Sequence, residues 1–161
     1  MANSSMIDDI KDKIIKDIIH DSLIVRAIDA NVEYADDLID TRIFKFNQNP
    51  NSVQQAQTFI TIQVHIPRTI DRNKKRVETV VEIWIISNNN HMVVNNIPKI
   101  KANRNDLISQ LLDEKFNGRD DFGIGELLLE RSVEGIHPDS RDYVFRQMIF
   151  KTKDFNQPVC R

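Results

Sequence analysis

Residues 58–86 read TFITIQVHIPRTIDRNKKRVETVVEIWII, and this stretch decides the fold. Its first part alternates: Ile60, Ile62, Val64 and Ile66 fall on one side, Thr61, Gln63 and His65 on the other. That period of two is the signature of a half-buried strand. Pro67 is expected to end the strand, because it lacks the N–H that a ladder needs. A second β-branched run follows over 77–86, with Val77, Val81, Ile83 and Ile85 on one face and Glu78, Glu82 and Trp84 on the other. The connection between the runs carries Arg68, Arg72, Lys74, Lys75 and Arg76, and Ile70 is its one apolar side chain. Two strands joined in this way predict a long antiparallel hairpin with a basic, extended tip.

Upstream, residues 47–57 (NQNPNSVQQAQ) hold turn formers and no apolar period, which predicts a mobile polar loop after a short strand at 41–46. Residues 29–40 (DANVEYADDLID) contain Asp29, Glu33, Asp36, Asp37 and Asp40 without a Lys or Arg, and read as a loop leading into that strand. Before them, Ile7, Ile10, Ile14, Ile15 and Ile18 form one apolar stripe at helical spacing. Asp8, Asp9 and Asp12 are read as crowding the first turns, against the positive end of the helix dipole. A break is expected at residues 20–22, with Asp21 or Ser22 capping a second short helix that carries Leu23, Ile24 and Ala27; the alternative is one unbroken helix.

Downstream, 88–96 is an Asn-rich loop, followed by a basic approach of Lys99, Lys101 and Arg104. Asn103 or Asn105 then caps a helix whose face is Leu107, Ile108, Leu111, Leu112 and Phe116, with Gly118 placed to end it in a left-handed turn. Strands over 122–133 and 143–152 follow, joined by a turn around 135–142. The fold class read from this order is α+β: a mostly antiparallel sheet with a long β-hairpin arm, packed against an N-terminal helix and a central helix. Residues 1–161 form a single domain, with loose termini at 1–5 and 154–161.

Composition sets outer limits. The 161 residues include 40% hydrophobic and 29% charged side chains, ordinary for a globular chain. No apolar run approaches the roughly 20 residues of a membrane helix. The polar start, MANSSMIDDIKDK, has no secretory pattern, so synthesis in the cytoplasm is expected. A net charge of −2 argues against a dedicated nucleic-acid binder. The lone Cys160 leaves no partner for an intramolecular disulfide.

Catalytic and metal signatures are absent from the pattern. His20, His65, His91 and His137 are scattered with no metal-ligand spacing. Glu78, Glu82, Glu126 and Glu130 sit on strands and read as a solvated face unless a histidine joins them in a pocket. Gly123-Ile-Gly125 follows a helix and precedes a strand, the reverse of a dinucleotide fingerprint. No enzyme activity, cofactor or metal is expected. What remains is charge asymmetry between the acidic segment (Asp29, Glu33, Asp36, Asp37, Asp40) and the basic hairpin tip (Arg68, Ile70, Arg72, Lys74, Lys75, Arg76). These two clusters are the candidate subunit interface, acid of one copy against base of the next, in a head-to-tail contact that can close into a ring.

The blocks TFITIQVHIPR and VETVVEIWII, LLDEKFNG (111–118), FGIGELLLERSVEGI (122–136) and YVFRQMIFKTKDFN (143–156) resemble the tail-terminator and tail-completion proteins of tailed bacteriophages, small ring proteins of the neck. The resemblance implies a non-enzymatic virion subunit at the head–tail junction. Such a subunit forms a ring, commonly a hexamer with a dodecamer possible, that completes the tail and meets connector and tail-tube proteins. DNA passes through its lumen without sequence-specific binding. A head-closure or adaptor protein binding the portal is the alternative within that setting. A small intracellular binding module or hydrolase is the alternative outside it.

Overall fold

The structure, a computed structural model, describes residues 4–53, 57–69 and 77–153. The hairpin tip at 70–76, part of the polar loop and the tail with Cys160 lie outside the described residues.

Two helices open the chain, α1 (Ser4–Ile19) and α2 (Ser22–Ala27). The break falls where the sequence places it. Asp21 is extended, and its carboxylate accepts from the N–H groups of Leu23 and Ile24, satisfying donors that a helix start leaves open. Because α1 begins at Ser4, earlier than expected, its first turn has no acidic residue. Asp8 and Asp12 instead hold Lys45 at 3.0 and 2.6 Å, a tertiary tie in place of a dipole effect.

Residues 29–40 are more ordered than a loop. A 3-10 turn, Val32–Leu38, is capped by Asn31 and kinked at Tyr34. The strand expected at 41–46 shrinks to β1 (Ile43–Phe44), which pairs in parallel with β2 (Thr58–Thr69). β2 runs through Pro67 and does not stop there. A bulge between His65 and Arg68 sets three residue steps against two on β3 (Val77–Asn88), and an imino acid is tolerated at such an irregularity. After the central helix α3 (Arg104–Phe116), strand β4 is Glu126–Ile136 and β5 is Tyr143–Lys153. β4 starts later than expected, because Gly123 and Gly125 both have positive φ and hold a turn over residues 121–124.

The sheet order is β1-β2-β3-β5-β4, antiparallel except for β1. β5 therefore inserts between β3 and β4. The helices cover one face, where Ile10, Ile14, Ile18, Ile24, Ile108, Leu112 and Phe116 meet Ile60, Ile62, Val81, Ile83, Ile85, Met148 and Phe150. Each isoleucine buried in this way contributes roughly 1.5–3 kcal/mol. On the other face Phe44, Phe59 and Ile86 form a small second cluster with Trp84, Tyr143 and Phe145 against it. The expected α+β class with helices on a mostly antiparallel sheet is the observed one.

Candidate assembly surfaces

The acidic segment is held open by its own backbone. α2 ends at Ala27, and Asp29 turns the chain with a φ of 64°. Asn31 accepts from the Glu33 N–H at 3.0 Å to start the 3-10 turn, and Leu38 is its buried anchor. Asp40 reverses the chain again with a φ of 60°, donating its N–H to Ile43 O at 3.0 Å. Glu33, Asp36, Asp37 and Asp40 are exposed and make no side-chain ion pair among the described residues. Tyr34 lies among them at 61% exposure, with Val32 and Ile39 also at the surface.

The basic half of the expected interface is only partly in view. The β2·β3 ladder continues to Thr69 opposite Val77, beyond the last β3·β5 pair at Val80 and Lys151. Arg68 is placed in β2 opposite Glu78 by its backbone alone. Ile70, Arg72, Lys74, Lys75 and Arg76 lie outside the described residues.

A second basic surface follows β3. A 3-10 turn at Asn89–His91 leads into residues 92–103, which wrap an open groove of about 960 Å³ with Val93, Ile97, Pro98 and Ile100 in its wall. Val93 is 71% exposed. Lys99 and Lys101 face no carboxylate within ion-pair distance among the described residues. Arg104, expected to belong to this basic approach, is instead 1% exposed. Its guanidinium donates to His91 O and Ala27 O, each at 2.6 Å, and to Val93 O at 3.2 Å. Burial pushes its pKa down and Asp29 works against that.

Asp29, His91 and Thr58 are linked in the order acid, imidazole, hydroxyl, at 3.0 and 2.7 Å. A hydrolase uses that order to activate a nucleophile. Here Thr58 and the Ser87 hydroxyl beyond it have no exposed surface, so no substrate reaches them. The link ties the acidic segment to the sheet.

Of the strand carboxylates, Glu78, Glu82 and Glu130 have side-chain partners in place, while Glu126 is exposed. Glu82 accepts from Trp84 Nε1 and Gln147 Nε2, with His65 Nε2 3.4 Å away. Lys151 sits 3.5 Å from Glu78 and 2.7 Å from Glu130, which together hold its pKa up. His137 is packed on Trp84, accepts from the Asp139 N–H at 3.2 Å, and has its pKa lowered by burial against the opposing pull of Asp139. Among the described residues, no three His, Cys, Asp or Glu side chains come together as metal ligands, and no helix is long and apolar enough to cross a membrane. The sequence reading missed His91, Arg104 and Asn105 as organising residues. One signal lay in Asn103-Arg104-Asn105, a charge between two potential caps at a helix start.

The model of the YomW family matches residues 12–152, most of the chain. The chain belongs to the YomW family. The match takes in the acidic segment, the hairpin and the 92–103 groove alike. No curated protein matches this YomW chain. A solved chain from the "Virion of native gene transfer agent (GTA) particle" superposes with a TM-score of 0.52 at 11% identity, covering 86% of this chain and 88% of that one. At that identity the likeness is one of fold.

Proposed function

We propose that this protein is a structural subunit of a phage-type virion that assembles as a ring at the head–tail junction. In this role it completes the tail, joins it to the connector and leaves a channel for DNA. The observation that carries the reading is the fold shared over 86% of the chain with a protein of a gene transfer agent virion. The phage-related character of the YomW family supports it. So does a surface that presents carboxylates without an ion-pair partner among the described residues beside exposed apolar groups.

In this reading the acidic segment is one side of the contact between copies, and the basic hairpin (Arg68 to Arg76) is the other. Exposed ion pairs contribute only about 0–1 kcal/mol each. Burial of Tyr34, Val32 and Ile39 must therefore supply most of the affinity, while the charges select the register. A hexamer is the expected ring, and the role is non-enzymatic.

Light scattering coupled to size exclusion, with negative-stain images of the protein mixed with purified tail tubes, tests this. Closed rings, or rings seated on tube ends, are expected. Binding to portal-bearing heads in place of tubes would reassign the subunit to head closure. A protein that stays monomeric under every one of these conditions would end the proposal.

A further inference from the structure

The outer edge of β4 is closed over its first half and open over its second. Leu127 gives its N–H to Arg119 O and accepts from the Gly118 N–H, both at 2.7 Å, and the Leu129 N–H bonds Asn117 Oδ1 at 2.9 Å. Past the irregularity between Leu129 and Arg131 this cover ends. The His137 N–H bonds Tyr143 O at 2.8 Å, which fixes the phase of the ladder. Bonded pairs in an antiparallel ladder recur at every second residue, so Arg131, Val133 and Gly135 bond to β5. Ser132, Glu134 and Ile136 then turn their N–H and C=O groups away from it. Among the described residues, nothing bonds to the main chain of those three. All three are exposed, Ile136 at 64%.

A pocket of about 320 Å³ opens beside the same residues. Met92, Val144 and Ile136 give it an apolar wall, and Asn103 and Asn105, at the start of α3, a polar one. Ser132, Glu134 and Ile136 pair with Met148, Arg146 and Val144, on the face of the sheet that carries the helices. A strand laid against this edge therefore makes its main-chain bonds at alternate residues and turns the side chains of those residues to the pocket side.

We infer that residues 154–161 of a second copy dock on this edge as an antiparallel strand. In DFNQPVCR, Phe155, Gln157 and Val159 alternate, and each keeps the N–H that a ladder bond needs. Set opposite Ile136, Glu134 and Ser132 in that order, they fill all three positions and bring Phe155 to the pocket. Pro158 then falls between bonded residues, where its missing N–H faces away from β4 and costs no ladder bond. The donor is another copy. Lys153 pairs with Glu126, roughly 33 Å along β4 from Ile136, and only Asp154 separates it from Phe155. Pairing β4 with β4 of a second copy is the poorer fit, because using all three positions sets Glu134 directly against its counterpart. Like charges opposed in this way are destabilising.

Arg131→Cys in the full chain tests this. Position 131 stands opposite Cys160, the chain's one cysteine, as a non-bonded pair. Cα atoms in such a pair are about 4.5 Å apart, inside the range a disulfide spans. Mild oxidation is expected to link the introduced thiol of one copy to Cys160 of another, read on a non-reducing gel and by mass spectrometry of the joined peptides. Glu114→Cys, exposed on α3, is expected to link to Cys160 several-fold less. Gln157→Pro removes a ladder N–H, so amide exchange at 132, 134 and 136 is expected to be several-fold faster than in wild type at the same concentration. Equal linking in the two cysteine variants, a link within one chain, or unchanged exchange in Gln157→Pro would overturn the inference. A link that persists when Cys160→Ser is added joins two introduced thiols; it would give the edge to β4 of another copy and overturn it too. Docking of this segment is independent of the ring reading: linked copies without closed rings would defeat that reading alone.

Discussion

Replacing Arg104 should loosen the groove and the start of the acidic segment together. The guanidinium is buried and makes three hydrogen bonds, to the carbonyls of Ala27, His91 and Val93. These join the C-terminal end of α2 to the end of the Asn89–His91 turn and to the start of the 92–103 loop. Charge-assisted bonds are each worth about 1.5–3 kcal/mol, but their sum is an upper bound because the freed carbonyls recover some water. Arg104→Met keeps the length of the side chain and removes all three bonds. Its expected cost is about 3–5 kcal/mol, since each of three carbonyls loses its donor at about 1–3 kcal/mol and recovers part of that from water. At about 2–4 °C per kcal/mol for a domain of this size, the melting temperature should fall by roughly 6–20 °C. Arg104→Lys retains charge but not the planar fork, and should lose about half as much. Denaturant titration with an unchanged m-value reads the free energy, and amide exchange at 91–94 reads the local effect. A loss below about 1 kcal/mol, with protection at 91–94 intact, would show that these bonds are not what holds the loop.

Other outcomes follow from the same geometry. Asp36→Lys with Asp37→Lys should leave monomer stability within about 0.5 kcal/mol, because neither carboxylate has an ion-pair partner among the described residues, yet should weaken oligomerisation in light scattering. Gly135→Ala should cost about 1–2 kcal/mol in thermal unfolding, since a Cβ there would stand 3.0 Å from the Phe145 ring, which is itself packed on Trp84. Asp121 has its pKa held well below the carboxylate range by Arg119 and Lys13. For Asp21, burial pulls upward but Lys115 and the Ile24 and Leu23 N–H groups outweigh it, so its pKa is lowered too. A depressed carboxylate stabilises the fold above its unfolded pKa of about 3.9 and loses that contribution as pH falls through the folded value. Asp121→Asn should therefore flatten the acid limb of a stability–pH curve, measured by denaturant titration between pH 2 and 5.

Much of the fold was legible because its signals were local. Alternation at 60–66 and 81–85, the stripe from Ile7 to Ile18, and caps at Asp21 and Asn103 each act within a few residues, and the structure uses both caps. Sheet order was not legible. Nothing near Tyr143–Lys153 announces that β5 will slot between β3 and β4, because that choice depends on which apolar faces meet across the whole chain. Pro67 misled for a related reason: a bulge absorbs it, and a bulge is a property of two strands. At the surface, the acidic segment was visible as composition. Its exposure and its anchor through Asp29 to His91 were not, since the anchor joins residues 62 positions apart. Arg104 looked like surface charge because three carbonyl acceptors leave no mark in side-chain chemistry.

The mass of the assembled particle tests the central claim most directly. Light scattering on the protein with and without tail tubes should return a closed multiple of 18.8 kDa, six copies being expected, with rings visible at tube ends. A single 18.8 kDa species at every concentration, with bare tube ends in the mixed sample, would contradict the account.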